Sequence, residues 1–268
     1  MSHYPQRIVC LTEETTETLY RLGEQDRIVG ISGFTVRPPE ARRDKPKVSA
    51  FTSAKLDKIA SLKPDLVLGF SDLQADIAAD LIRMGIEVHV FNHRTVADIF
   101  RMIATLGGMV GCEDKTHTLM AELHAGLEHV RAAAARLPYH PKVYFEEWDE
   151  PQISGIAWVS ELVRLAGGID IFPELANEPL GKQRIVTDTL EVVRRQPDLI
   201  IGSWCGKKFQ PNSVAKRPGW DAIPAVRDGE LHEIKSSIIL QPGPAALTDG
   251  VRALYKVIAD WADRKTRE

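Results

Sequence analysis

Two short phrases hold the residues best suited to grip a small molecule. Residues 63–71 read KPDLVLGFS and residues 196–204 read QPDLIIGSW. In each, Pro-Asp opens an apolar run with the length of a buried strand. Phe70 and Ser71, and Trp204 and Cys205, therefore fall at the carboxyl ends of two strands, where open parallel sheets bind ligands. Aromatic faces beside small polar groups suit a large, flat, apolar ligand whose polar rim is held by hydrogen bonds.

Other residues can be weighed the same way. Trp148, in FEEWDEP, is an aromatic among acids and is poorly explained as core. Phe51, Trp158, Trp220 and Gln241 lie on predicted loops or helix starts that could reach the same place, and Lys207 could meet a carboxylate or phosphate of the ligand. Glu14 sits with Glu13 in the first turn of a predicted helix, where acids complement the helix dipole; it is also a strand-end candidate. His93 follows a strand end, a position more often taken by a solvated loop histidine than by a metal ligand. His117, His124 and His129 share no i, i+4 pair, so no metal site is expected there.

Cys205 in GSWCG stands where nucleophiles often stand. The nucleophile elbow is G-x-S-x-G, however, and here serine follows the first glycine directly with tryptophan in the middle. P-loop, HExxH and GxGxxG motifs are missing from the sequence. The expectation is a binding protein, not an enzyme, with no catalytic residue, no resident metal and no cofactor.

The elements that must position these residues alternate between strand and helix. Strands are expected at 7–11, 27–32, 65–70, 86–91, 142–147, 198–204 and 230–235, with helices between them, which is the pattern of an α/β fold with largely parallel sheets. Asp65 and Asp198 follow proline at strand starts and read as structural turn residues. Residues 113–137 carry apolar side chains at three-to-four spacing with no proline. That spacing predicts one long helix, and with it a division into an N-terminal α/β lobe (1–112), a connecting helix (113–137) and a C-terminal α/β lobe (138–268). Both lobes are read as Rossmann-like, with the ligand cleft between them.

Composition narrows the function. The 268 residues are 44% apolar and 26% charged, with net charge −3, which gives no basic footprint for nucleic acid. No run is long and apolar enough for a transmembrane helix. MSHYPQRIVCLTEE lacks the apolar region of a secretion signal, and three cysteines without a CxxC suit a reducing compartment. A cytoplasmic location is expected from the chain as it stands, and a periplasmic one if an export signal has been removed.

Taken in order, RIVCLTEETTETLYRLGEQDRIVGIS, KPDLVLGFSDLQADIAADLIRMGIEVHVF, the long helix, VSELVRLAGGIDIF, QPDLIIGSWCGKK and PGPAALTDGVRALYKVIADW resemble a known class. They are similar to the ABC-transporter substrate-binding proteins that carry vitamin B12, haem and iron–siderophores, the helical-backbone metal receptors, and most of all to the cobalamin-binding members. The resemblance implies a monomer that holds a corrinoid through strand-end aromatics, with Phe70 and Trp204 at the matching positions, and an ABC permease as partner. It leaves open an iron–siderophore or haem as cargo, or a cytosolic cofactor-handling protein or enzyme unconnected with transport.

Overall fold

The computed structural model describes residues 3–267. The chain forms two compact units. The first takes the chain up to His93, with Ala97–Leu123 and Pro242–Pro244; the second takes Arg94–Val96, His124–Gln241 and Ala245 onward.

The first unit is built on a six-stranded sheet. Its strands are β1 (Ile8–Cys10), β2 (Ile28–Ser32), β3 (Lys47–Ala50), β4 (Ser53–Ala54), β5 (Leu66–Phe70) and β6 (Val88–Phe91), in the order β4-β3-β2-β1-β5-β6. All neighbours are parallel except β3 and β4. Val9, Leu11, Val48, Ile59, Val67 and Leu81 pack into one apolar cluster on this sheet. The second unit is built on β7 (Lys142–Asp149), β8 (Gln152–Ser154), β9 (Ile169–Asp170), β10 (Leu199–Gly202) and β11 (Leu231–Glu233). Their order is β11-β10-β7-β8, with β9 beside the start of β7 and only the β7–β8 hairpin antiparallel.

The paired phrases have the same mechanical role in both units. Lys63 and Gln196 adopt left-handed backbone (φ 48 and 49), which ends the preceding helix one residue before proline. The aspartate that follows then ties two strands together. Asp65 accepts from the amides of Gln6 and Arg7 at 2.7 and 2.8 Å while its own amide donates to Arg7 O. Asp198 accepts from the amide of Lys142 at 2.8 Å and its own amide donates to Lys142 O. These bonds set the registers Ile8↔Leu66 and Val143↔Leu199.

The helix expected over 113–137 runs Glu113–Ala134, about 33 Å at 1.5 Å per residue. Thr116, Leu119, Leu123, Leu127, Val130 and Ala134 form its buried stripe. The four short strands β3, β4, β8 and β9 have no counterpart among the sequence expectations; at two to four residues they are too short for an alternation pattern to show. The final helix begins as a π-helical turn at Ala246–Gly250 and continues as Val251–Arg267.

Gly107 and Gly108, in the helix Val96–Met109, offer opposite tests of packing. A Cβ at Gly107 would collide with Thr116, whereas one at Gly108 meets nothing within 4 Å. Ala gains about 1 kcal/mol over Gly in a helix interior, and overpacking costs about 1–3 kcal/mol. Urea unfolding should therefore show Gly108→Ala more stable than the parent and Gly107→Ala less stable.

Candidate functional site

In the first sheet the strand order reverses at β1 and β5, so their carboxyl ends are the place where this topology binds ligands. Phe70 ends β5 and is nearly buried. Its ring meets His93 edge-on at 4.8 Å between centroids and Phe51, which is half-buried, at 6.4 Å. The backbone here is held by Gln74, which accepts from the Phe70 amide at 2.9 Å and donates to Phe51 O at 2.8 Å. Ser71 takes positive φ (63), and its hydroxyl accepts from the Leu73 amide at 3.2 Å. His93 is buried, and its Nε2 lies 2.7 Å from Pro242 O. A carbonyl only accepts, so this nitrogen carries the proton. That bond commits one ring nitrogen to the main chain.

Glu14 is fully enclosed beside the same segment, where Gly243 leaves no room for a Cβ against it. Burial pushes its carboxyl from the ordinary 4.5 up to about 8, although the Thr12 hydroxyl, 2.6 Å from Oε1, pulls it back in part. At neutral pH Glu14 is mainly a neutral, hydrogen-bonding acid. The dipole role expected for Glu14 as an anion is therefore not what the structure favours.

The second unit concentrates charge at the ends of β7 and β10. Glu146 is completely buried and pairs across the sheet with Gly202. Its Oε1 accepts from Trp204 Nε1 at 3.0 Å and from Arg217 Nη2 at 2.9 Å, and its Oε2 takes a second, short bond from Arg217 Nη1. Burial pushes this carboxyl up against the pull of Arg217; the two-pronged contact with a guanidinium that cannot lose its proton is that of an ion pair. The adjacent Glu147 is clamped by the buried Arg184 at 2.8 and 3.0 Å. The consecutive glutamates of FEEWD thus each hold an arginine of their own.

Trp204 is fixed by Glu146 and by Phe209, whose ring meets it edge-on at 5.0 Å in space that a side chain at position 202 would fill. Trp148 is half-buried and donates from Nε1 to Glu150 O at 2.9 Å. The Lys207 ammonium lies 4.2 Å from the Trp148 ring centroid and 5.1 Å from that of Trp204, and it pairs with Asp149. Cys205 is exposed and forms no disulfide, and Gln241 is half-buried.

One candidate is corrected, and a second lies in a helix facing the core. Trp220 has no exposed surface: Gly219, at φ 78, turns its short helical segment so that the indole packs in the core on Tyr144 and under the Arg217 guanidinium. Trp158 lies in the helix Ala157–Leu165 with its Nε1 bonded to Ile239 O at 2.9 Å, and is also core. Trp220 has no face to offer a ligand; Trp158 is as enclosed as Trp204 and differs in being held by a main-chain carbonyl rather than by Glu146. Glu146, Arg217, Gln74 and Arg184 were not singled out from the sequence. The acidic pair 146–147 was the only signal, since Arg217 lies 71 positions from Glu146 and Arg184 lies 37 from Glu147.

A profile of the periplasmic binding protein family matches residues 8–238. The chain belongs to that family. Among similar members, an ABC transporter substrate-binding lipoprotein of Bacillus subtilis, YvrC, is 26% identical, covering 95% of this chain and 80% of its own. The vitamin B12-binding protein of Vibrio vulnificus is 24% identical over 90% of this chain and 86% of its own. The periplasmic haem-binding protein RhuT of Roseiflexus has the same fold, with a TM-score of 0.78 and 23% identity over 94% of this chain and 99% of its own. Among the described residues no helix is long and apolar enough to cross a membrane.

The buried acids can be tested by unfolding, with one exposed ion pair as the control. Arg217→Met strands Glu146 as an unpaired buried carboxylate and should cost about 3–5 kcal/mol in urea unfolding. Glu128→Gln, at the exposed pair with Arg131, should cost under about 0.5 kcal/mol. For Glu14, the folded pKa lies above the unfolded one, so between pH 4.5 and 8 the unfolded chain binds fewer protons and native stability falls as pH rises. Unfolding of Glu14→Gln across that window should show a gain over the parent that grows with pH, by up to about 1.4 kcal/mol per unit. A constant offset would mean that Glu14 is ionised when folded.

Proposed function

We propose that this chain is a substrate-binding protein of the ABC-transporter type whose ligand is a corrinoid; the candidate contacts are Phe70, Ser71 and His93 in the first unit and Trp148, Trp204 and Gln241 in the second, each set described within its own unit. The observation that carries the reading is the placement of Phe70 and Trp204 after equivalent strands, each anchored by hydrogen bonds to its own main chain or indole nitrogen. Rings fixed in this way lose little freedom on binding a flat ligand, which favours affinity. Vitamin B12-binding relatives that align over 90% of the chain support the choice of corrinoid. The ligand brings its own metal; no group of three or more His, Cys, Asp or Glu side chains among the described residues is arranged to hold one. The role is binding, and an ABC permease is the partner it implies.

Titration of the purified protein with cobalamin, hemin and a ferric siderophore, followed by tryptophan quenching, tests this. Saturable quenching by cobalamin in the micromolar range is expected, and Trp204→Leu should weaken it by about tenfold or more, the loss of a stacked aromatic anchor. No response to cobalamin at tens of micromolar, with hemin or the siderophore binding instead, would transfer the proposal to that cargo.

A further inference from the structure

The second unit holds a positively charged group between two tryptophan faces and a carboxylate. That group is the ammonium of Lys207, within 6 Å of both ring centroids and paired with Asp149. A cation over the face of an indole is attracted by the ring quadrupole, and enclosure by two rings and an acid is how proteins recognise organic ammonium ions.

The frame and its occupant differ in how firmly they are held. Trp204 is anchored through Glu146, itself clamped by Arg217, and is braced by Phe209. Trp148 and Asp149 belong to the β7–β8 hairpin, with the Trp148 indole bonded to Glu150 O. Lys207 instead sits on an exposed loop after Gly206, which takes φ 76 and has open space around it, and its own side chain is 40% exposed. Its removal from the seat disturbs none of the bonds that build the frame.

We propose that Trp148, Trp204 and Asp149 form a binding seat for a primary or quaternary alkylammonium group, with Lys207 as an internal stand-in that an incoming cation displaces. Lys207, expected from the sequence to meet an anionic group of the ligand, is then the competitor of a cationic one. A ligand that stacks on these indoles either carries a positive charge of its own or has to displace one. The seat belongs to the second unit alone and does not rest on the corrinoid reading.

The probes are methylammonium and tetramethylammonium chloride, added to the parent protein and to Lys207→Ala, with sodium chloride at equal ionic strength as control. An intramolecular competitor on a short loop acts at an effective concentration in the millimolar range. Half-saturation in Lys207→Ala should therefore lie below that of the parent, by a factor of one plus the ratio of that effective concentration to the intrinsic dissociation constant of the lysine. The indole N–H resonances of Trp148 and Trp204 should move with the titration while those of Trp220 and Trp261 stay still. Asp149→Asn in the Lys207→Ala background should weaken binding again. Unfolding of Lys207→Ala close to the parent value confirms that the frame is intact. Resonance shifts no larger than those caused by sodium, or shifts indifferent to Asp149→Asn, would overturn the proposal. Failure to bind cobalamin leaves it standing, and failure to bind ammonium leaves the corrinoid reading standing.

Discussion

The reciprocal bonds between the Pro-Asp aspartates and the first residues of the neighbouring strands are the constraint on which the chemistry of this protein depends. Asp65 locks β5 to β1 and Asp198 locks β10 to β7, each at the amino end of the sheet. In a parallel pair a slip of one residue would turn every side chain to the opposite face. Register set at the amino end is carried along the strands to the carboxyl end. Phe70 and Trp204 owe their positions to it, and so does the pairing of Glu146 with Gly202. The aspartates themselves touch no ligand candidate; their function is positional.

What the register delivers in the second unit is an unusual concentration of buried charge. A buried ion pair seldom adds net stability over a well-packed apolar substitute, because desolvation offsets most of the attraction. The gain from Glu146 and Arg217 is geometric: a carboxylate with three donors can occupy only one place, and Trp204 is one of those donors. In the first unit the same end of the sheet is held through the main chain, with Gln74 bonded to the Phe70 amide and His93 Nε2 to Pro242 O, beside a Glu14 that is mainly neutral at pH 7. Two units of similar topology thus fix their strand-end aromatics by different electrostatics. One relies on a salt bridge and the other on side-chain hydrogen bonds to the main chain.

Much of the architecture was legible because its signals are local. Apolar runs bounded by Pro-Asp and glycine mark β5 and β10, and three-to-four spacing without proline marks the helix Glu113–Ala134. The two-to-four-residue strands β3, β4, β8 and β9 leave no periodicity to read and exist because a neighbouring strand offers hydrogen bonds. The site was legible as a set of strand ends but not as a set of faces. Trp148 and Trp220 look alike in sequence, an aromatic in a polar loop. One is half-buried under an ammonium and the other is sealed in the core, and the turn at Gly219 makes the difference.

The sequence by itself determined which residues reach the carboxyl ends of the strands, because the length and polarity of an apolar run decide where a strand begins and ends. Pairing between distant side chains was a matter for the tertiary structure alone. Arg217 meets Glu146 across 71 positions and His93 meets Pro242 across 149. No periodicity links such residues; they meet because chain segments are packed against each other. KPDLVLGFS and QPDLIIGSW therefore foretold two strands and two aromatic ends. They could not foretell that Lys207 would lie over the second aromatic, since that contact depends on how the loop folds back and on an acid, Asp149, supplied by another strand.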